Sequence, residues 1–342
     1  MNSRFRRFLC LVLSFLLLFS ALPVTQVFAA QTETIRGGIE RVYGRDRYDT
    51  GFAIADALKE VQGVDKFDTV VVACGTNFAD ALSGSYLANK HNAPILLVGK
   101  DNTDLVKDYI YENVNQGGKV YILGGTSAVP AEMEYGMGMY YVERLSGRNR
   151  YETNLKILQE AGTAGEDVLV CTGKNFADAL SAAAVCKPIL MVEESLTDVQ
   201  RNFLVGVSGD LIIIGGTGAV SVEIEEELWN YGYTERVRGA SRFETSVLVA
   251  EKFFDHPSKA VLAYAQTFPD GLCGGALAYA MGAPIILTQT GNEDAAFAYA
   301  NANGISGGVV LGGSRLISDN AAKTIFGEAF TIAFDTGFEV EV

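Results

Sequence analysis

Arg41-Val-Tyr-Gly-Arg-Asp-Arg-Tyr-Asp-Thr50 returns as Arg144-Leu-Ser-Gly-Arg-Asn-Arg-Tyr-Glu-Thr153, and again as Arg236-Val-Arg-Gly-Ala-Ser-Arg-Phe-Glu-Thr245. Three further blocks follow each copy in the same order. Asn77-Phe-Ala-Asp-Ala-Leu82 matches residues 175–180 and, more loosely, Thr267-Phe-Pro-Asp-Gly-Leu272. Pro94-Ile-Leu-Leu97 matches Pro188-Ile-Leu-Met191 and Pro284-Ile-Ile-Leu287, and Gly124-Gly125 matches Gly215-Gly216 and Gly312-Gly313. Ordered self-similarity at a fixed period is the mark of one structural unit written several times.

Within a unit the apolar runs are short and β-branched, as in Thr69 to Ala73, Ile95 to Val98 and Lys119 to Leu123, with helical patterns between them. Continuous apolar strands joined by helices predict a parallel sheet covered on both faces. The expected fold is therefore α/β, with three similar doubly wound, Rossmann-like modules. The repeats run over 41–143, 144–235 and 236–327, preceded by a leader (1–29) and a short lead (30–40). They are followed by a tail (328–342) that alternates like a terminal strand. From Asp80 to Pro94 and from Asp270 to Pro284 the interval is 14 residues, against 10 from Asp178 to Pro188. Four residues are close to the ~3.6 of one helical turn, so the second copy is expected to have a helix one turn shorter.

Arg4, Arg6 and Arg7, an apolar run from Phe8 to Leu18 and Val27-Phe28-Ala29 form a secretory leader cleaved after Ala29. No later stretch is long and apolar enough to span a membrane. Beyond the leader the chain carries 24 basic and 41 acidic residues, a net charge near −17 that argues against nucleic-acid binding. Cys74, Cys171, Cys186 and Cys273 fall at unrelated places in the repeats and read as small buried residues rather than a disulfide framework.

Asp46-x-x-Asp49, Asn149-x-x-Glu152 and Ser241-x-x-Glu244 each pair a capping residue with a carboxylate three positions on, the pattern that starts a helix. Asp80, Asp178 and Asp270, three residues after Asn77, Asn175 and Thr267, read as part of the next helix's cap. Caps leave Arg47, Arg150 and Arg242 unexplained, because the first helical position mildly disfavours a cation. Either an ion pair holds them, with Asp80, Asp178 or Asp270 as partner, or they grip a polymer phosphate or carboxylate. Arg41, Arg144 and Arg236 face the same choice. The Gly-Gly pairs close a strand-to-helix turn, which serves as a tight turn or an anion cradle. Pro94 to Leu97 and its relatives read as the start of a buried central strand. His91 and His256 have no metal-ligand spacing, and no nucleophile elbow or acid/base pair stands out, so neither metal nor cofactor is expected.

Taken together, the blocks Arg-x-x-Gly-x-x-Arg-[Tyr/Phe], Phe-[Ala/Pro]-Asp-[Ala/Gly]-Leu, Pro-Ile-[Leu/Ile]-[Leu/Met] and Gly-Gly resemble the cell wall binding repeat 2 family, over nearly the whole chain after the leader. The resemblance implies a non-catalytic, secreted wall anchor at the surface of a Gram-positive cell, with three modules about a pseudo-threefold axis. It implies binding to an anionic, teichoic-acid-like envelope polysaccharide, with other surface-layer proteins as further partners. It also implicates Pro94, Ile95, Leu96 and Leu97, Pro188, Ile189, Leu190 and Met191, and Pro284, Ile285, Ile286 and Leu287 in attachment; the six arginines join them as candidate polymer-binding residues on the charge argument above, not on the resemblance. Two rival readings stand: an extracellular wall-acting hydrolase using clefts at Asp80, Asp178 and Asp270, and a lattice protein without a polysaccharide ligand.

Overall fold

The computed structural model describes residues 38–327. The leader with its cleavage point, the start of the lead and the tail strand lie outside them. Within them are three four-stranded sheets, all parallel, with helices between the strands. The first sheet has the order β3 (Ile95–Val98), β2 (Phe67–Cys74), β4 (Val114–Leu123), β5 (Tyr141–Leu145). The second has β7 (Ile189–Val192), β6 (Val168–Thr172), β8 (Leu211–Ile214), β9 (Thr234–Val237). In the third, β11 (Ile285–Thr288), β10 (Lys259–Tyr264) and β12 (Gly307–Leu311) are completed by β1 (Ile39–Val42) from the far end of the chain. Sheet and sequence repeat are thus offset by one strand. The strand opening repeats two and three pairs in the sheet before it, and β1 closes the circle on β12 with Ile39 opposite Gly308.

The decapeptide's helices are α1 (Arg47–Gln62), α4 (Arg150–Ala161) and α8 (Arg242–Phe253). Asp46 accepts hydrogen bonds from the N–H groups of Tyr48 and Asp49, Asn149 from those of Tyr151 and Glu152, and Ser241 from Glu244, so each helix starts where the pattern indicates. The return half of the cap differs. Glu152 and Glu244 accept from the N–H of Arg148 and Ala240, one residue before the cap, and Asp49 takes the Arg45 side chain. Gly44, Gly147 and Gly239 let the chain fold back there, since a Cβ at any of them would collide with the side chain and backbone of Asp49, Glu152 or Glu244. Their N–H groups donate to Thr50, Thr153 and Thr245, each at 3.0 Å. Phe52, Ile54 and Leu58 form the buried stripe of α1, as do Leu155 and Leu158 in α4.

Three helices open with the aspartate block: α2 (Ala79–Lys90), α5 (Ala177–Ser181) and α9 (Pro269–Ala280), with α3 (Thr103–Asn113) following in the first module. α2 packs on α4, α5 on α8 and α9 on α1, so every module meets the next through the same pair of helices. α5 is shorter than its relatives by more than the expected turn, because residues 182–184 continue as tight turns.

Pro94, Pro188 and Pro284 do begin fully buried strands, but these are edge strands, not central ones. Proline explains the position. Its carbonyl accepts from the neighbouring strand (Val71, Leu169 and Val261 N–H, 2.8–3.0 Å), while its missing N–H falls where no partner strand exists. Helix α1 lies over β3, α4 over β7 and α8 over β11, so the edges are covered.

Candidate functional site: three intermodule clefts

In a sheet ordered β3-β2-β4-β5, connections leave β2 in opposite directions, and a crevice opens at the carboxyl ends of β2 and β4. Over the first sheet this crevice is bounded by residues 75–80, 124–130 and 146–150, which follow β2, β4 and β5. These are the aspartate block, the Gly-Gly turn and the decapeptide of the next repeat. The corresponding cleft over the second sheet measures about 280 Å³ and is lined by Asn175, Asp178, Gly216, Ala219, Ser241 and Arg242, among others.

Asp80, Asp178 and Asp270 do not cap their helices. Phe78, Phe176 and Phe268 occupy the cap positions without a side-chain bond, and Asn77 and Asn175 accept the N–H of Ala79 and Ala177 at 3.2 Å instead. The carboxylates turn back against the Gly-Gly turn. Gly124, Gly215 and Gly312 have φ of 96°, 112° and 83°, and a Cβ on any of them would strike the Oδ2 of Asp80, Asp178 or Asp270. The first glycine of each pair is therefore required twice over, by backbone conformation and by the carboxylate packed on it. Burial pushes Asp178 and Asp270 each up to about 6, against the pull of Arg242 and Arg47 respectively. Asp80 is likewise raised by burial, opposed by a bond from the Thr153 hydroxyl and by Arg150. Asp270 is only 9% exposed, and neither it nor Asp178 accepts a hydrogen bond from any described residue.

Arg47, Arg150 and Arg242 reach across from the next repeat. One Nη1 of each donates to a strand-end carbonyl of its own module, at Gly75, Gly173 and Ala265 (2.6–2.7 Å). Cζ of Arg150 lies 5.5 Å from the Phe78 ring and that of Arg242 5.5 Å from Phe176. The three rings meet on the axis, with centroids 5.9, 5.9 and 6.2 Å apart. The remaining guanidinium donors have no hydrogen-bond partner among the described residues. These arginines neighbour the expected aspartates without a direct ion pair.

Arg41, Arg144 and Arg236 have a different place. Their side chains are 5–14% exposed and their donors are engaged inside the protein. Each donates to the first Gly-Gly carbonyl, Gly312, Gly124 or Gly215, at 2.8–2.9 Å. Each also pairs with a carboxylate beyond the turn, Asp319, Glu134 or Glu225, rather than with the aspartates expected from sequence. They brace the turn that shapes the cleft. Ile95 to Leu97, Ile189 to Met191 and Ile285 to Leu287 are at most 1% exposed and lie in the core beneath. Ser221 and Ser318 cap α7 (Val222–Leu228) and α11 (Asp319–Phe326) after their turns.

The phenylalanine triad and the threonine hydroxyls were present in the repeated blocks, and recurrence in triplicate was their signal. Among the described residues no group of three His, Cys, Asp or Glu is placed to hold a metal ion, and no helix is long and apolar enough to cross a membrane. Among the described residues Cys74, Cys171, Cys186 and Cys273 are free thiols.

The family described as Cell wall binding domain 2 (CWB2) matches the chain three times, over residues 41–134, 144–225 and 236–322. The chain is 26% identical over 297 residues to the N-acetylmuramoyl-L-alanine amidase LytC of Bacillus subtilis (strain 168), an alignment covering 84% of this chain and 58% of the amidase. It is 27% identical over 263 residues to the Amidase enhancer of the same organism, covering 75% and 36%. Two solved structures share the fold. Cwp8 from Clostridium difficile superposes with a TM-score of 0.76 at 26% identity, over 96% of this chain and 56% of Cwp8. Cwp6 from the same organism gives 0.73 at 23%, over 87% and 50%. The chain spans between about a third and three fifths of the length of these relatives.

Proposed function

The chain belongs to the cell wall binding domain 2 family, and from that premise we propose that it is a secreted, non-covalent anchor that holds an anionic, teichoic-acid-like polysaccharide of a Gram-positive envelope in its three intermodule clefts. The observation that carries the reading is convergence. At each module junction the aspartate block and Gly-Gly turn of one repeat and the arginine at the helix start of the next come together at the carboxyl end of a parallel sheet, where ligands of such sheets bind. The guanidinium donors left over at Arg47, Arg150 and Arg242 suit a phosphate or carboxylate.

Three such clefts around one axis fit a repetitive polymer. Once one cleft is occupied the next contact is intramolecular, which raises apparent affinity by ~10²-fold or more without any single strong site. The buried Pro-Ile-Leu-Leu strands act through shape, holding α1, α4 and α8 and so the arginines at their starts. The protein is an anchor rather than an enzyme in this reading, and catalysis at the wall belongs to other domains or chains.

Retention on purified walls, native and stripped of anionic polymer, across a salt series tests it. Retention that needs the polymer and weakens with salt is expected, since exposed charges are screened over ~10 Å at 0.1 M. Equal retention on stripped walls would overturn the proposal.

A further inference from the structure

Lys59, in the last turn of α1, and Asn113, the last residue of α3, are 54 positions apart in the chain, and Lys59 Nζ donates to Asn113 Oδ1. The same Nζ lies 3.0 Å from Asp56 Oδ1, one turn back on α1. Tyr109 holds the other two groups in place: its hydroxyl donates to Asp56 Oδ1 at 2.7 Å, and its carbonyl accepts Asn113 Nδ2 at 2.9 Å. Phe52 stacks on the Tyr109 ring at 4.7 Å, and Lys59 Nζ is 5.8 Å from the centre of that ring, so the cluster has an aromatic floor. The Lys59 and Asp56 side chains are 18% and 23% exposed. An amine, a carboxamide and a carboxylate are thereby held in mutual contact, largely out of water.

The fold does not require this cluster, because what builds a module recurs in every repeat and the cluster does not. In the third repeat Glu251, Tyr299 and Asn303 stand where Asp56, Tyr109 and Asn113 do, and Asn303 again bonds the tyrosine carbonyl. Phe254 replaces the lysine there, and the buried Tyr299 hydroxyl has no hydrogen-bond partner among the described residues. The second repeat has Gln159, Gly162, Phe203 and Val207 at the four places. An ion pair would need Asp56 and Lys59 alone. The carboxamide seated on the amine is the additional feature, and it is the group an amine attacks to form an amide.

We propose that Lys59 and Asn113 become joined by an intramolecular isopeptide bond, with Asp56 as the proton carrier. Asp56 takes a proton from the Lys59 ammonium, and the free amine attacks Asn113 Cγ. One of the two protons left on Nζ then passes through the Asp56 carboxyl to Nδ2, the Cγ–Nδ2 bond breaks, and an Nζ–Cγ amide remains. Ammonia leaves, carrying the first proton away as ammonium, and Asp56 is ionised again. Nothing is oxidised or reduced. Fixed contact between amine and amide supplies the effective concentration that the uncatalysed reaction lacks. The bond closes residues 59–113, with β2, α2, β3 and α3, into a covalent loop, which confines the unfolded chain and stabilises the first module.

The test is tandem mass spectrometry of a protease digest of the purified full chain. A joined pair of peptides is expected, one carrying Lys59 and the other Asn113, lighter than their sum by one ammonia. Lys59→Arg, which keeps the positive charge beside Asp56, should give the two linear peptides. Asp56→Ala, shown to be folded by circular dichroism, keeps both reacting groups and should form the bond at least about a hundredfold more slowly, the usual contribution of a positioned acid–base group. Linear peptides with unmodified Lys59 and Asn113 from folded wild-type protein would overturn the proposal, whatever the variants do. A joined pair formed at the wild-type rate in Asp56→Ala would overturn the role given to Asp56.

Discussion

Arg41 and Asp319 stand 278 residues apart in the chain and 2.9 Å apart in space. Between them they close the ring of modules. β1 lies against β12, and Arg41 also donates to the carbonyls of Gly312 and Ile317, tying the last turn and helix to the first strand. Removing the side chain strands two carbonyls and a carboxylate at once. Arg41→Ala is expected to cost about 2–4 kcal/mol in urea unfolding. Asp319→Asn, which leaves both carbonyl bonds, should cost about 1 kcal/mol or less. Hydrogen exchange in Arg41→Ala should speed first in β12 and α11. Equal costs for the two variants would mean that closure rests on strand pairing alone.

Stability should depend on pH through the cleft aspartates. Folding raises Asp178 and Asp270 from 3.8 to about 6, chiefly by burial. The folded state therefore binds protons more tightly than the unfolded chain between these values. Their contribution is fully present below about pH 4 and is lost as pH rises through about 6. Asp178→Asn with Asp270→Asn should be more stable than wild type at pH 7, by about 2–3 kcal/mol per site at most, with the gap closing by pH 4. A gap that stays constant from pH 4 to 7 would show that these carboxyls titrate normally.

Much of this was legible in the repeats, for reasons that also mark where legibility stops. Helix starts at Asp46, Asn149 and Ser241 are local chemistry, written within four residues. Strand order is not: a fully buried edge strand and a central strand carry the same apolar run, and only the proline at 94, 188 and 284 hints which it is. Asp80 looked like a cap because Asn77-x-x-Asp80 has cap spacing, but Asn77 alone does that work. The packing of Asp80 on Gly124 joins residues 44 apart and has no local signature. The cleft is assembled from two repeats, so no single repeat contains it. Circular closure by β1 is likewise invisible in any one copy.

The Gly215 and Asp178 pair can be separated by a double-mutant cycle. Gly215→Ala meets two obstacles, a φ of 112° and the Asp178 Oδ2 where the new Cβ would sit. It should cost about 2–4 kcal/mol alone, and about 1–2 kcal/mol when Asp178 is already alanine, since only the backbone strain is then left. Additive costs would place the carboxylate away from the turn.

Asn154 and Ser246 occupy equivalent helix positions over the edge strands, with unequal duties. Asn154 is fully buried and bonds both the Ile189 carbonyl (2.7 Å) and the Met191 N–H (2.9 Å), standing in for a missing strand. Ser246 accepts only the Leu287 N–H, at 3.0 Å. Asn154→Ala leaves two buried backbone groups unsatisfied and should cost about 3 kcal/mol, against about 1 for Ser246→Ala. Near-equal losses would mean that water replaces the amide.

The two arginine sets should part in a binding assay. Arg144 and Arg236 are inward braces, so Arg144→Gln or Arg236→Gln should lower the unfolding temperature and lower wall retention only as folded protein is lost. Arg47, Arg150 and Arg242 each contribute one internal bond and have donors left over, so changing all three to Gln should leave a folded ring. Its retention on native walls is expected to fall about tenfold or more, because three linked contacts weaken together. The salt dependence should flatten at the same time, since the lost contacts are the charged ones. Folded triple variant that still binds walls with the wild-type salt slope would assign these arginines to holding strand ends and the phenylalanine rings, and the polymer contact would have to lie elsewhere on the ring.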